Sequence, residues 1–420
     1  MNARESGFRG IEVGMHGTRP DLDRSVPALL VKVGHYPQHH GGVGVVRTLG
    51  RCGVPVHAVV EHRLTPAAVS RYTAGRFVRP STGLEDPETL VAALLAIGAA
   101  IGRRSVAVAT DDEAALLLAE HADRLAGCFL LPPLPPGLPR RLADKDGLHR
   151  LCLEHGVPTP RSRAPVDQDG LLAAGRDWGY PLVLKNREAW TRLRAPVVGS
   201  TTVVHDEREL LAACPPGSAP GVLVQEYLPA EQAEDWFTHL YCPADGSAPL
   251  VFTGLKLRSW PPGAGVTTRA LALDNPGLAE QAAGFCRRLG YRGTADLDWR
   301  LDRRDGRYKL VDFNPRTGAQ FRLFETPGGV DVVRALHLDL TGRPVPSGVG
   351  QRARGYAVGQ LDLPAAAVWA WHQRRLPPAL RPRRGTERAW LCRDDPAPQA
   401  VESAWFAGTA ARRLLSPVRR

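Results

Sequence analysis

The stretch KLVDFNPRTG, residues 309–318, begins as an apolar strand and ends in alternating polar side chains. Because every second residue of a β-strand points to the same face, Asp312, Asn314 and Arg316 are predicted to share one face, and Phe313 the other. An isolated Asp-x-Asn of this kind is also typical of a solvated edge strand that runs into a turn. The surrounding sequence decides between these two interpretations.

A predicted β-hairpin contains this stretch. The segments GTADLDWRLD (293–302) and RYKLVDFN (307–314) are strand-like, and residues 303–306 between them end in Asp-Gly, a strong hairpin signal. The second strand carries the polar face, and the first strand carries Asp298.

Three oxygen donors converge on one patch if Asp298 faces the same way as Asp312. With Asn314 they form a small set of hard ligands, which suits Mg²⁺, an ion that commonly completes its shell with water and phosphate oxygens. Asp296 would share the face of Asp298, and spacing alone does not separate the two acids. Arg316, one step further on, is placed to neutralise charge on a transferred phosphoryl group.

Bulk composition sets the broad class of protein. The chain has 420 residues, 43% of them hydrophobic and 23% charged, which predicts a globular protein of two or three subdomains. Neither an apolar run of about 18 residues, as a membrane span requires, nor a secretory leader is apparent in the sequence. The seven cysteines are scattered and include no C-x-x-C pair, so we expect reduced thiols in a cytoplasmic protein without a membrane partner.

The formal net charge of +11 invites a nucleic-acid-binding interpretation. Much of the excess is arginine in the last third of the chain, and no helix-turn-helix, zinc-finger or RNA-binding aromatic signature accompanies it. We therefore expect a solvated basic surface and no nucleic-acid partner. Binding to random DNA with a steep salt dependence would contradict this expectation.

Residues 26–140 alternate between strand-like and helix-like segments, such as VPALLVKVG, DPETLVAALLAIGAAIG and SVAVAT. This β-α-β rhythm predicts a parallel α/β domain. The glycine-rich first turn, GHYPQHHGGVG, does not fit G-x-G-x-x-G, so a dinucleotide site is not expected there. His39 and His40 have no apparent third ligand, so a metal site is not expected either.

A proline-rich segment, LLPPLPPGLPRR (130–141), predicts a stiff linker after the first domain. A helix over residues 144–155 and a strand that ends at Lys185 are predicted next. The strand-like RGYAVGQLDL is followed by helical pieces near the end of the chain. The predicted division is 1–140, 141–225, 226–345 and a C-terminal extension, 346–420.

Lysine is scarce in this chain. There are five lysines, at positions 32, 145, 185, 256 and 309, whereas arginine is abundant. A compact ammonium group is expected to persist in such a chain where it is needed, or by chance. Each lysine therefore becomes a candidate functional residue when a recognisable motif surrounds it.

Five segments, in order, resemble the motifs of the ATP-grasp superfamily, over roughly residues 25–345. LADKDGLHRLCLEHGVPTP resembles the family's Asp-Lys helix, GYPLVLK its phosphate-binding strand, and VLVQEYLP its adenine-binding hinge. GTADLDWRLD and YKLVDFNPR resemble its metal-binding pair. The resemblance implies an α/β protein with a parallel N-terminal domain of the pre-ATP-grasp type, followed by two α+β lobes of an ATP-grasp fold.

The resemblance also implies ATP-binding residues. Lys145 and Lys185 would contact the phosphates, and two ammonium groups beside a triphosphate are physically sensible. Glu226, Tyr227 and Leu228 would line the adenine pocket. The alternatives are solvated surface lysines and an ordinary strand end.

The metal-binding pair carries the remaining implied roles. Asp298, Asp312 and Asn314 match the magnesium ligands, and Mn²⁺ is a second candidate ion. Arg316 matches the arginine that steadies the acyl-phosphate and tetrahedral intermediates, so it is the expected catalytic residue.

Two further sets stay open at this point. Three acids compete to hold the ribose: Glu231, Glu234 and Asp235. Three cations lie on strands that would face the same cleft: Lys256, Arg258 and Arg269. A surface ion pair is an equal alternative for each of these cations.

The sequence departs from the family pattern in two places. NREAWTRLRAPVVGST stands where the family has a mobile glycine-rich phosphate loop, and its one glycine is Gly199. Many relatives carry glutamate at the position of Asp312, so metal binding is expected to survive here with a shorter reach.

The N-terminal half narrows the expected activity. SRYTAGRFVRP and VAVATDDEAALLLAEHADRL resemble carboxylate–amine ligases of the D-aspartate-ligase-like group. The resemblance implies that ATP phosphorylates the carboxylate of an amino acid or peptide, and that an amine then displaces phosphate. The alternatives are a bicarbonate-activating enzyme of the carboxylase type and a nucleotide-binding module without chemistry.

Overall fold

The computed structural model describes residues 20–188, 196–199, 201–262, 265–374 and 385–415. They form three sheets, and the predicted hairpin lies at one edge of the largest of them. Half of the predicted phosphate loop, residues 189–195 and 200, lies outside these ranges.

The first domain is the predicted parallel α/β unit. Its strands pair in the order β3-β2-β1-β4-β5, all parallel. The strands are β1 (Ala28–Val31), β2 (Val56–Val60), β3 (Thr73–Val78), β4 (Ser105–Ala109) and β5 (Phe129–Leu130). The helices are α1 (His40–Gly50), α2 (Pro87–Ile101), α3 (Asp112–Glu120) and α4 (Ala122–Leu125). Every residue of β1 is buried, as expected for a central strand covered by helices on both faces.

The linker is shorter than the sequence predicts. Residue 130 still belongs to β5, and a short helix, α5 (Leu138–Ala143), begins before residue 141. Proline is tolerated in the first turn of a helix, which is why the proline-rich pattern did not exclude α5.

The next unit is a small lobe with a four-stranded antiparallel sheet in the order β6-β9-β7-β8. Its strands are β6 (Ser162–Arg163), β7 (Leu182–Asn186), β8 (Thr202–Val204) and β9 (Val222–Glu226). Its helices are α6 (Lys145–Glu154), α7 (Gln168–Trp178) and α8 (Glu207–Ala213). Helix α6 has nearly the predicted bounds because Asp144 caps its first turn.

The large lobe contains a seven-stranded sheet in the order β14-β13-β10-β11-β12-β15-β16. Its strands are β10 (Ala233–Cys242), β11 (Leu250–Trp260), β12 (Val266–Ala272), β13 (Gly293–Asp302), β14 (Arg307–Asn314), β15 (Gly355–Ala357) and β16 (Thr386–Arg388). Its helices are α9 (Pro276–Arg288), α10 (Val332–Leu340), α11 (Gly359–Gln373) and α12 (Ala397–Leu415). The predicted hairpin is confirmed as β13 and β14.

The strand predicted from RGYAVGQLDL ends earlier than expected. It stops at Ala357, and the rest of the segment forms the start of α11. Tertiary contacts decide this boundary, because the Val358 N–H donates to Thr268 O and the Asp362 carboxylate binds Arg258. Alternating apolar residues alone do not reveal such contacts.

A single apolar core joins the first domain to the large lobe. It contains Val46 of α1, Phe252 of β11, Phe324 and Trp390. Since Trp390 lies in the C-terminal extension, that extension packs onto both units and fixes them beside the polar hairpin.

Candidate functional site

The two strands of the hairpin lie in a register that brings their acids together. Asp298 lies directly opposite Asp312, and the next pair on the same face of the ladder is Asp296 and Asn314. Residues that pair across a ladder share a face, so these side chains form one polar face of the sheet. Phe313 points the other way and is 1% exposed, in agreement with the predicted alternation.

A β-bulge interrupts the hairpin just before Asp312. The pairing skips Val311, which stands as an extra residue between Leu310 and Asp312. The carbonyl oxygen of Val311 accepts a hydrogen bond of 3.1 Å from Lys185 Nζ. The bulge therefore holds the strand-end lysine of β7 beside the acidic face.

Two more lysines bind the facing acids directly. Lys145 Nζ donates to Asp312, and Lys256 Nζ lies 2.6 Å from Asp298 Oδ1. Three of the five lysines in the chain thus gather at one pair of carboxylates. Lysine is therefore concentrated at the acidic face, although it is scarce in the chain as a whole.

The position of Lys145 follows from the start of α6. The side chain of the N-cap residue Asp144 accepts a hydrogen bond of 2.6 Å from the Gly147 N–H. The Lys145 N–H donates to Arg187 O at 2.8 Å, which ties the helix start to the end of β7. Both phosphate-binding candidates are therefore anchored by regular elements of the small lobe.

Burial and charge shift the pKa values of the two acids in opposite directions. Burial raises the pKa of Asp298 above its usual value, although the Lys256 ammonium opposes this effect. Burial also acts to raise the pKa of Asp312, but Lys145 and Lys185 outweigh it and hold that pKa below its usual value.

Lys185 is the lysine whose removal from water matters most. Burial lowers the pKa of Lys185 to about 8, although the Asp312 carboxylate opposes that shift. The neighbouring Lys145 ammonium lowers it further. An ammonium held this way gains more from an added anion than a solvated lysine would.

Arg316 is held between two acids. Its Nη1 lies 3.0 Å from Asp296 Oδ2 on β13, and its Nε lies 3.3 Å from Asp112 Oδ1 at the start of α3. His239 Nε2 lies 3.2 Å from the other carboxylate oxygen of Asp296. Although burial opposes them, His239 and Arg316 hold the pKa of Asp296 well below its usual value. The structure thus separates the two acids that spacing left ambiguous: Asp296 orients Arg316, and Asp298 faces Asp312.

Sequence reasoning missed His239 and Asp112. His239 is on β10, directly opposite Asp296 in the ladder. Asp112 comes from the first domain, about 200 positions before Arg316 in the sequence. No local pattern reports such a distant partner, because acids in the first turn of a helix are common for the helix dipole alone.

The hinge candidates lie at the end of β9. The Glu226 carboxylate lies 3.0 Å from Arg161 Nε and 3.5 Å from Lys309 Nζ. Leu228 is buried, and Tyr227 is partly exposed. A cavity opens beside this strand end, with walls from Lys145, Leu148, Lys185, Leu223, Gln225 and Val311. The phosphate-binding candidates and the hinge strand therefore border one space.

The ribose candidates differ in their contacts. Glu234 accepts from Trp236 Nε1 at 3.0 Å and pairs with Arg303, and Asp235 pairs with Arg300 at 3.4 Å. Glu231 lies in the turn just after the hinge and makes no ion pair or side-chain hydrogen bond with the part of the chain that the structure describes.

Two of the cleft cations bind the C-terminal extension instead of the acidic face. Arg258 donates to both carboxylate oxygens of Asp362 on α11, at 2.9 and 2.8 Å. Arg269 Nη1 lies 3.6 Å from the same carboxylate. Both guanidinium groups are buried, so Asp362 compensates two buried charges.

Solved structures superimpose on most of this chain. The biotin carboxylase domain of the Hydrogenobacter thermophilus 2-oxoglutarate carboxylase, in complex with ADP, magnesium and bicarbonate, superimposes with a TM-score of 0.56 at 15% identity over 76% of this chain and 70% of that chain. N5-carboxyaminoimidazole synthetase from Staphylococcus aureus superimposes with a TM-score of 0.59 at 12% identity, over 80% and 82% of the two chains. This chain has the ATP-grasp fold. The fold that the resemblance predicts is thereby confirmed.

A curated relative also matches the sequence of this ATP-grasp chain. D-aspartate ligase from Enterococcus faecium is 23% identical over 248 residues, which cover 56% of this chain and 59% of that ligase. The match therefore spans less than two thirds of the relative. No protein-family profile matches the chain. None of the helices resolved in the described ranges is long and apolar enough to cross a membrane.

Proposed function

We propose that this chain is an ATP-dependent carboxylate–amine ligase that uses Mg²⁺, or Mn²⁺ in its place. One oxygen of the substrate carboxylate attacks the γ-phosphorus of ATP, and the bond from that phosphorus to the β–γ bridging oxygen breaks, releasing ADP. The amine nitrogen then attacks the acyl carbon and loses a proton, and phosphate leaves with the former carboxylate oxygen. The product is an amide.

The observation that carries this proposal is the pair of facing acids, Asp298 and Asp312, with three lysines and Arg316 around them. A cleft that holds a triphosphate and a carboxylate must bring two anions close together, which requires convergent positive charge. A module that only bound nucleotide would not need Arg316 fixed between Asp296 and Asp112.

The donor set fits magnesium as a partner of bound phosphates. Asp298 and Asp312 would supply carboxylate oxygens. The Asn314 amide donates through Nδ2 to Asp296 O, so its Oδ1 is the atom that would bind the ion. No group of three His, Cys, Asp or Glu side chains within the described ranges is placed to hold a metal ion alone. Phosphate and water oxygens would complete the shell, as is usual for Mg²⁺. The ion would screen the phosphate charge during transfer.

The protein's own groups supply the other roles. Lys145 and Lys185 would bind the phosphates once their present acceptors, Asp312 and the Val311 carbonyl, turn to the metal or to water. Residues 226–228 would hold adenine, and Glu231 is the ribose acid that we favour. Arg316 would stabilise the oxyanions of the acyl phosphate and the tetrahedral intermediate.

A substrate panel tests the proposal. Amino acids, short peptides and bicarbonate are incubated with the full chain, Mg-ATP and hydroxylamine, which converts an acyl phosphate into a hydroxamate. We expect ADP, phosphate and a hydroxamate with at least one amino acid or peptide. Release of AMP and pyrophosphate would contradict the mechanism, and turnover with bicarbonate alone would favour the carboxylase-type alternative.

A further inference from the structure

A second cavity lies beside Arg316, at the junction of the first domain and the large lobe. Its walls come from β4, α3, the linker and the start of β13, and Pro315 and Arg316 close one end. The space open to the centres of water-sized spheres measures about 50 Å³. One water needs roughly 10–15 Å³ by the same measure, so this cavity has room for a short side chain.

Small residues create this space. Ala107 and Ala109 of β4 and Ala115 of α3 line one wall. Gly293 lies on the opposite side, where an added Cβ would come within 2.8 Å of Pro132 Cγ. Larger residues at these positions would fill the cavity or push the linker away.

The few polar groups in the walls are already bonded within the protein. Tyr291 Oη donates to Thr294 O at 2.7 Å, and Thr294 Oγ1 lies 3.2 Å from Thr317 Oγ1. Arg292 Nη1 donates to Tyr291 O at 2.9 Å, and Arg316 is engaged by two carboxylates. A polar occupant would give up hydrogen bonds to water without replacing them, whereas an apolar occupant has none to lose.

We infer that this cavity receives the side chain of the carboxylate substrate, and that this side chain is a short aliphatic one. The inference rests on the proposed function. Arg316 lines the cavity and its guanidinium binds Asp296, so the cavity adjoins the face where the carboxylate would be phosphorylated. An acidic side chain, such as that of the aspartate named in the Enterococcus faecium relative, would have to displace the carboxylates that hold Arg316 or the carbonyls that hold Arg292.

Calorimetric binding of an amino-acid series to the full chain with Mg-ADP tests the inference. The probes are glycine and both enantiomers of alanine, 2-aminobutyrate and valine, with aspartate and glutamate for comparison. We expect affinity to rise by roughly tenfold or more per added carbon, as in other apolar side-chain pockets, until the cavity is full. Aspartate and glutamate should bind more weakly than valine.

A cavity-filling variant tests whether the gain in affinity with side-chain length comes from this cavity. In Ala115→Leu, glycine and Mg-ADP should bind as in the wild type, but the gain from alanine to valine should fall below about twofold because the added side chain takes the space. Ala96→Leu on the exposed face of α2 is the matched control and should keep the wild-type series. If Ala115→Leu does not fold, Ala109→Val provides a smaller filling.

Three results would overturn the inference: an unchanged series in the filled variant, tighter binding of an acidic amino acid, or no binding of any aliphatic probe. Turnover with aspartate but not with valine in the hydroxamate assay would uphold the ligase proposal and reject the cavity's role. No turnover with any carboxylate would reject the ligase proposal itself, while the binding series would still report on the cavity.

Discussion

At the scale of single residues, each acid expected to bind the metal already has a lysine partner. Asp312 binds Lys145 and Asp298 binds Lys256, so the acidic face keeps its charges balanced. A metal ion could replace the lysine ammonium beside each carboxylate without a large free-energy penalty, because the buried carboxylate would keep a positive neighbour throughout. We therefore propose that magnesium and phosphate enter this site together.

Substitution of Asp312 tests its assignment as a metal ligand. We expect Asp312→Ala to lower Mg²⁺-dependent turnover by roughly a hundredfold or more, because a ligand to the charge-screening ion is lost. Steady-state kinetics over a magnesium titration measures this effect, and circular dichroism checks the fold. Asp305→Ala, in the exposed turn of the same hairpin, is the control and should keep full activity. Unchanged turnover in Asp312→Ala would remove the assignment.

Lys185 provides a prediction about pH. Its pKa of about 8 lies below the ordinary 10.5, and a bound triphosphate would raise it again because the anion favours the ammonium form. Nucleotide binding should therefore take up protons near pH 8.5, and affinity should fall as pH rises above 8. Calorimetry in buffers of different ionisation enthalpy measures the uptake. If Lys185→Met takes up as many protons as the wild type, another group is responsible.

At the scale of elements, α11 depends on a buried ion cluster. Asp362 near the start of α11 binds Arg258 and Arg269 on two strands of the large sheet. Asp362→Asn would remove the negative charge that binds both buried guanidinium groups, so we expect a loss of roughly 3–5 kcal/mol in the free energy of unfolding. Glu88→Gln, which breaks an exposed pair with Arg124, should cost about 1 kcal/mol or less. Equal effects in a urea titration would contradict the role of Asp362.

The elements that the sequence predicts well are those with local signals. The hairpin β13–β14 has an Asp-Gly turn, and α6 has an aspartate cap, so both were predictable in place and type. Helix α11 has an internal proline and a weak apolar stripe, and its start is fixed by contacts with β11 and β12. The acids at 298 and 312 followed from strand alternation, whereas the partners of Arg316 required the tertiary fold. His239 and Asp112 lie on other elements, and no spacing rule connects them to residue 316.

At the scale of the whole molecule, the C-terminal extension packs against the first domain. Arg47 of α1 is buried and binds Asp395 at 2.9 Å and the Trp390 carbonyl at 2.8 Å. His40, at the start of the same helix, packs against Tyr356 and Trp390, with ring centroids 6.0 and 5.8 Å away. The junction that positions Asp112 against Arg316 thus contains a buried histidine.

This junction predicts acid sensitivity. Burial lowers the pKa of His40 to about 4 from its ordinary 6.5, so the unfolded chain binds more protons in this window and stability falls as pH decreases through it. We expect His40 to account for a loss of roughly 2 kcal/mol between pH 7.5 and 5. His40→Gln should lose that share of the pH dependence of chemical unfolding, whereas exposed His205→Gln should keep it. Identical slopes in the two variants would contradict this account.

An isotope experiment can follow the proposed transfer of the γ-phosphoryl group from ATP to a carboxylate oxygen. The substrate identified in the panel is labelled with ¹⁸O in its carboxylate and converted to the amide with Mg-ATP, and the released phosphate is analysed by mass spectrometry. The account predicts that each phosphate carries one oxygen from the carboxylate and that the nucleotide product is unlabelled ADP. Unlabelled phosphate, or label in AMP, would contradict it.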